Sequence, residues 1–125
     1  MMIELNEIEG QEKRVFLITG ANSGIGYETS KFLLKKGATI IMCCRDLRKA
    51  ERAKQELLKF NYSGDIELVE LDLSDLKNVN NFSKFIKNKF DYLDVLINNA
   101  GIMAPPKTFS KQGLEIQFAV NHLAH

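Results

Sequence analysis

Between Thr19 and Gly26 the chain reads Thr-Gly-Ala-Asn-Ser-Gly-Ile-Gly, three glycines within seven positions. A backbone with so few side chains can reverse sharply and come close to a bulky anion. The segment that follows, Ile25–Lys36, has Ile25, Thr29, Phe32, Leu33 and Lys36 at helical spacing, and Gly37 stops it. The first turn of that helix would offer free N–H groups and a positive dipole end. A pyrophosphate suits such a loop. A nucleoside-triphosphate loop needs a Gly-Lys pair followed by Ser or Thr, which this spacing lacks. Taken alone, the glycine cluster is also compatible with a tight structural turn.

Further groups able to do chemistry lie downstream. Arg45 stands 19 positions beyond Gly26. Asp72-Leu73 and Asn98-Asn99-Ala100-Gly101 each close an apolar run, and Asn121, His122 and His125 come last. Tyr27 and Lys31 form a Tyr-x-x-x-Lys pair. His122 and His125 are i, i+3 on one helix with no third ligand nearby, which favours structural or interface roles over metal binding. Cys43 and Cys44 are adjacent, so in a strand they face opposite ways and form no ordinary disulfide. No metal site is expected.

These groups need elements to position them. Val15–Thr19 and Thr39–Cys44 read as strands. Asp46 can cap a helix over Leu47–Phe60, with Ala50, Ala53, Leu57 and Phe60 as its stripe. Ile66–Leu71 alternates like a peripheral strand. Ser74 can cap a helix from Asp75 to about Lys89, with Leu76, Val79, Phe82, Phe85 and Ile86 inward. Val95–Ile97 reads as a buried strand, and a last helix should run from near Ser110 to the chain end. Strands and helices alternate strictly, which implies parallel pairing through crossovers. The expected fold is α/β, a Rossmann-type doubly wound parallel sheet with strand order 3-2-1-4. Residues 1–14 read as an N-terminal extension and 15–125 as the N-terminal portion of a dinucleotide-binding domain.

In this context the sequence resembles the short-chain dehydrogenases and reductases. The likeness lies in the glycine loop, Asp72-Leu73, Asn98-Asn99-Ala100-Gly101 and Asn121, in family order and at compatible spacing. Gly20–Thr29 and Asn121–His125 look most like the retinol-dehydrogenase-like branch. The resemblance implies a nicotinamide cofactor held by Gly20, Ala21, Asn22, Ser23, Gly24, Ile25, Gly26, Arg45, Asp72, Leu73, Asn99, Ala100 and Gly101. It implies hydride transfer to or from an apolar carbonyl or alcohol, with Asn121 supporting the catalytic water chain. An acid at position 45 would select NAD(H), whereas a guanidinium attracts a 2′-phosphate, so NADP(H) is expected. Asp46 beside it could offset that charge; Arg48 and Lys49 could restore it.

The family's Ser and Tyr-x-x-x-Lys would follow a fifth strand, so the resemblance implies an N-terminal half with the C-terminal half absent. Tyr27 and Lys31 do not replace them, because they sit in the helix after the glycine loop. The 125 residues are therefore expected to be inactive alone. Two functions stay open: part of an oxidoreductase, or a non-catalytic nucleotide-binding or interaction module complete as it stands. A bare fourth strand, Val95-Leu96-Ile97, with neither charge nor Pro, favours the first.

Composition closes off other classes. The chain has 17 Lys and Arg against 16 Asp and Glu, a net charge of +1, which gives no bulk attraction for nucleic acid. No apolar run approaches the roughly 18–20 residues needed to span a bilayer. Met1–Gly10 has acids and no Lys or Arg, unlike a secretory or transit leader, and a cytoplasmic setting is expected. Apolar residues from Gly113 to His125 spread around the helix axis, which predicts a homo-oligomer through the C-terminal helix.

Overall fold

The computed structural model describes residues 4–125, except the side chain of Asn6. The N-terminal extension is thus seen from Glu4 onward, and Met1–Ile3, the start of the acidic Met1–Gly10 stretch that is unlike a leader, lie outside the described residues. A single 3-10 turn, Leu5–Glu7, precedes the first strand.

The alternating apolar runs become β1 (Val15–Thr19), β2 (Thr39–Cys44), β3 (Asp65–Glu70) and β4 (Val95–Ile97). Between them lie α1 (Gly24–Lys35), α2 (Leu47–Leu58) and α3 (Leu76–Lys89). The pairings among these four strands are parallel and the strand order is β3-β2-β1-β4, as expected for the Rossmann-type sheet.

Strand alternation sorts the core into two clusters. Phe16, Ile18, Ile40, Met42 and Cys44 pack with Leu33, Leu34, Ala50, Ala53 and Leu57, the inward residues of α1 and α2. Val15, Leu17, Ile41 and Cys43 pack with Ile86 of α3 and with Ile116, Val120 and Ala124 near the chain end. The two cysteines therefore sit in different clusters on opposite faces of the sheet, both as free thiols.

Five local expectations need correcting. Phe85, expected inward on α3, is 45% exposed. Asp75, not Ser74, caps α3, accepting from Lys77 N, while the Ser74 hydroxyl donates to Asp72 Oδ1 at 2.6 Å. Helix α2 ends at Leu58, and Phe60 is exposed, stacked on Tyr62 with ring centroids 5.3 Å apart. β4 is not fully buried: Leu96 is 51% exposed, because β4 pairs only with β1 and forms the sheet edge. The last helix does not begin near Ser110. Gly113, at φ 77°, turns the chain, and Glu115 caps a short α4 (Ile116–Phe118) by accepting from Gln117 N and Phe118 N. A π-helical turn, Ala119–Leu123, follows. Such turns interrupt regular helices and often occur at functional sites.

Candidate functional site

The C-terminal ends of the strands open into a cleft of about 450 Å³. It lies where the sheet order reverses between β1 and β4, the position at which open α/β sheets take their ligands. Gly20, Asn22, Ser23, Ile25, Arg45, Asp72, Leu73, Asn99, Ala100 and Gly101 all line it. The expected residues thus converge from four separate strand ends.

The other three loop residues shape the cleft without lining it. Ala21 is fully buried, Gly24 opens α1, and Gly26 packs beneath the loop. A Cβ on Gly26 would lie 2.5 Å from both Asn99 Nδ2 and Gly20 O, so only hydrogen fits there. Gly20 sits at φ 63° with Ala100 Cα 3.0 Å from where its Cβ would be. The glycines therefore let the loop turn and let the Asn99–Ala100 turn approach it. Gly20 N also donates to Cys43 O at 2.8 Å, tying the loop to β2.

Thr19 joins the two turns. Its Oγ1 accepts from Asn99 N at 3.0 Å and from Ala100 N at 2.9 Å, and lies 2.9 Å from His125 Nε2. The Asn99 amide returns the link, donating to Thr19 O at 3.0 Å and Gly20 O at 3.2 Å. Ser23 precedes α1 without a side-chain cap bond, so its hydroxyl does not take up the first N–H groups of the helix, and Ser23 and Ile25 both line the cleft.

Charge on the opposite wall is arranged by small local motifs. Asp46 accepts from Arg48 N at 3.0 Å and Lys49 N at 3.2 Å. Those bonds, the one from Lys49 foremost, hold its carboxyl below the ordinary range. Its charge is directed to the α2 N-terminus, not to the exposed Arg45 guanidinium. Asp72 Oδ1 is held by Ser74 N at 2.9 Å and by the Ser74 hydroxyl; Oδ2 has no partner among the described residues. Burial pushes the Cys44 thiol up to about 11, and Cys43 higher still, so neither is a thiolate at neutral pH.

Asn121 lies outside the cleft lining. Its Oδ1 accepts from Ile102 N and its Nδ2 donates to Ile102 O, both at 2.8 Å, which clamps the loop after β4. Tyr27 and Lys31 are packing residues: Tyr27 sits against the α1–α2 side of the core and Lys31 Nζ lies 4.3 Å from the Phe60 ring centroid. Burial, with Glu56 and Glu28, raises the Tyr27 pKa, opposite to what a catalytic base needs. His122 packs on Phe118 with ring centroids 5.4 Å apart. No group of three metal-binding side chains occurs among the described residues.

Sequence reasoning missed several lining residues, among them Thr19, Cys43, Cys44, Ser74, Ile102, Ile116 and Val120. Thr19 and the cysteines could have been found from their places at strand ends. Ile116 and Val120 could not, because only tertiary packing brings their helix over the cleft.

Comparison with known proteins agrees with this geometry. The family model described as short chain dehydrogenase matches residues 14–125. Mouse retinol dehydrogenase 14 is 46% identical over 122 aligned positions, covering 90% of this chain and 36% of that protein. An uncharacterized protein from Mycobacterium Paratuberculosis superposes with a TM-score of 0.84 at 41% identity, covering 98% of this chain and 42% of that one. A metagenomic short-chain oxidoreductase in complex with NADP gives a TM-score of 0.77 at 27% identity, covering 91% and 52%. A D-mannonate oxidoreductase homologue from Haemophilus influenza with bound NAD, 22% identical, shares the fold at a TM-score of 0.74, covering 96% and 48%. The chain spans about a third of the length of the curated relatives it matches. No helix among the described residues is long and apolar enough to cross a membrane.

Proposed function

The chain belongs to the short chain dehydrogenase family, and from that premise we propose that residues 15–125 form the cofactor-binding part of an NADP(H)-dependent oxidoreductase. One observation carries the reading: a single cleft gathers the glycine loop, Arg45, Asp72 and the Asn99–Gly101 turn at the point where the strand order reverses. In that cleft the N–H groups at the start of α1 would hold a pyrophosphate, Asp72 would accept from an adenine amino group, and the Arg45 guanidinium would hold a ribose 2′-phosphate. Asp46 supports the NADP(H) assignment, because its carboxylate is turned to the α2 N-terminus.

When bound, the nicotinamide supplies a hydride for a carbonyl or accepts one from an alcohol. The residues present supply binding and orientation: Asn121 fixes the loop after β4 through Ile102, and Ala100 and Gly101 leave room for the ribose. Proton transfer belongs to a Ser and a Tyr-x-x-x-Lys of the whole protein, acting on a small apolar alcohol or carbonyl. The exposed Phe118 and Leu123 support a homo-oligomer through the C-terminal helix.

Calorimetric titration tests the cofactor assignment. NADPH should bind more tightly than NADH, and Arg45→Ala should weaken NADPH roughly ten- to a hundredfold while sparing NADH. Equal affinities in the unaltered protein, or no change on losing Arg45, would refute it.

A further inference from the structure

The Thr19 hydroxyl is buried and has three neighbours, which fixes where its hydrogen goes. A hydroxyl has two lone pairs and one hydrogen. Asn99 N–H and Ala100 N–H can only donate, so together they use both lone pairs. The hydrogen must then point to the third neighbour, His125 Nε2, at 2.9 Å. That nitrogen is therefore an acceptor, and a neutral His125 carries its proton on Nδ1. An imidazolium would aim a second N–H at a hydroxyl whose lone pairs are already taken.

His125 lies just beyond the π-helical turn that contains Asn121. One end of the chain thus holds the 99–102 segment twice, through Thr19 at Asn99 and Ala100, and directly at Ile102. We propose that His125 is a positioning residue for the nucleotide cleft, its neutral Nε2 setting the Thr19 hydroxyl so that the Asn99–Ala100 turn is held against the glycine loop. The proposal rests on the nucleotide-binding reading above. Without that acceptor the turn loosens, so nucleotide affinity responds to its loss.

Other titratable groups surround it. Lys87 on α3, and Asp91 and Tyr92 after it, line the same groove as His125; Cys43 of β2 packs in the same cluster as Ala124; His122 precedes it in the π-helical turn. The test compares variants at a single pH, so that these groups, and the ionisation of the ligand itself, cancel. NADPH affinity is measured by calorimetry for the unaltered protein, His125→Gln and His125→Phe. Gln keeps an acceptor that does not titrate, and Phe removes it.

Gln should bind within about twofold of the unaltered protein and Phe roughly three- to tenfold more weakly, the size of one lost hydrogen bond. Identical affinities for all three forms would overturn the proposal. Nitrogen-15 NMR of the imidazole gives a second measurement that needs no ligand and no substitution: a proton on Nδ1 supports the proposal, and a neutral ring protonated on Nε2 overturns it. If no form binds NADPH, the nucleotide-binding reading fails, and the tautomer alone decides the hydrogen-bond assignment.

Discussion

A methyl group at Gly26 would meet the Asn99 amide and the Gly20 carbonyl at once, and both are held by other bonds. Neither can withdraw without undoing the join between the glycine loop and the turn after β4. Gly26→Ala should therefore cost about 1–3 kcal/mol of stability, as overpacking commonly does. Urea denaturation measures this, and an unchanged midpoint would contradict the steric account. The need for a small residue at this position was legible in the sequence, because the constraint comes from backbone approach within a recurrent strand–loop–helix unit. The direction of Asp46 was not legible. Residue type allowed its charge either to cancel Arg45 or to cap α2, and only the backbone at the helix start decides for the cap. Asn121 was found by spacing, yet its two bonds to Ile102 depend on a loop with no regular structure and could not be read beforehand.

Helix α3 shows how an element end can be tied to a distant loop. Asp75 accepts from Lys77 N within the helix and from Lys111 Nζ at 2.9 Å and Gln112 Nε2 at 3.0 Å outside it. Lys111 foremost, then Gln112, hold the Asp75 carboxyl down to about 2. The sign follows: stability from these contacts is fully present above the ordinary carboxylate range and is lost as pH falls toward about 2. The thermal midpoint of the unaltered protein should exceed that of Asp75→Asn at neutral pH, and the two should converge as acid is added. A pH-independent gap would contradict this. The first three strands and three helices were legible to within about two residues, since their apolar periodicity is strong and caps or glycines close them. The last helix was misread because the apolar residues from Leu114 onward suggest one helix that reaches back toward Ser110, while Gly113 at φ 77° breaks the backbone and Glu115 restarts it.

At the scale of the molecule, apolar surface is unevenly distributed. Phe118 is 50% exposed and Leu123 is 44% exposed on the C-terminal helix, and Phe109 and Leu96 are also exposed. A groove lined by Val79, Phe82, Ile86, Phe90 and Leu96 runs between α3 and the sheet edge. Apolar surface of this kind drives association. Light scattering over a concentration series should show species larger than 14.2 kDa, and Phe118→Asp should shift them toward the monomer. A soluble monomer at high concentration, or no response to Phe118→Asp, would contradict it. The strand order was legible because alternation and crossovers leave few topologies; the exposure of Leu96 was not, since an apolar run looks the same at a sheet edge and at its centre.

The pairing of β1 carries a further consequence, in time rather than in space. β1 meets β2 across 24 positions of chain, Val15 to Thr39, but meets β4 across 79, Ile18 to Ile97. Closing the longer loop costs more entropy, and β4 returns only three residues of ladder on one side. The three-strand unit β3-β2-β1 can thus persist while β4 detaches and rejoins. Deuterium should enter the Leu96 and Ile97 amides through these partial openings, well before it reaches Ile40–Cys43 at the sheet centre. Equal protection at the two places would mean that the sheet opens only as a whole.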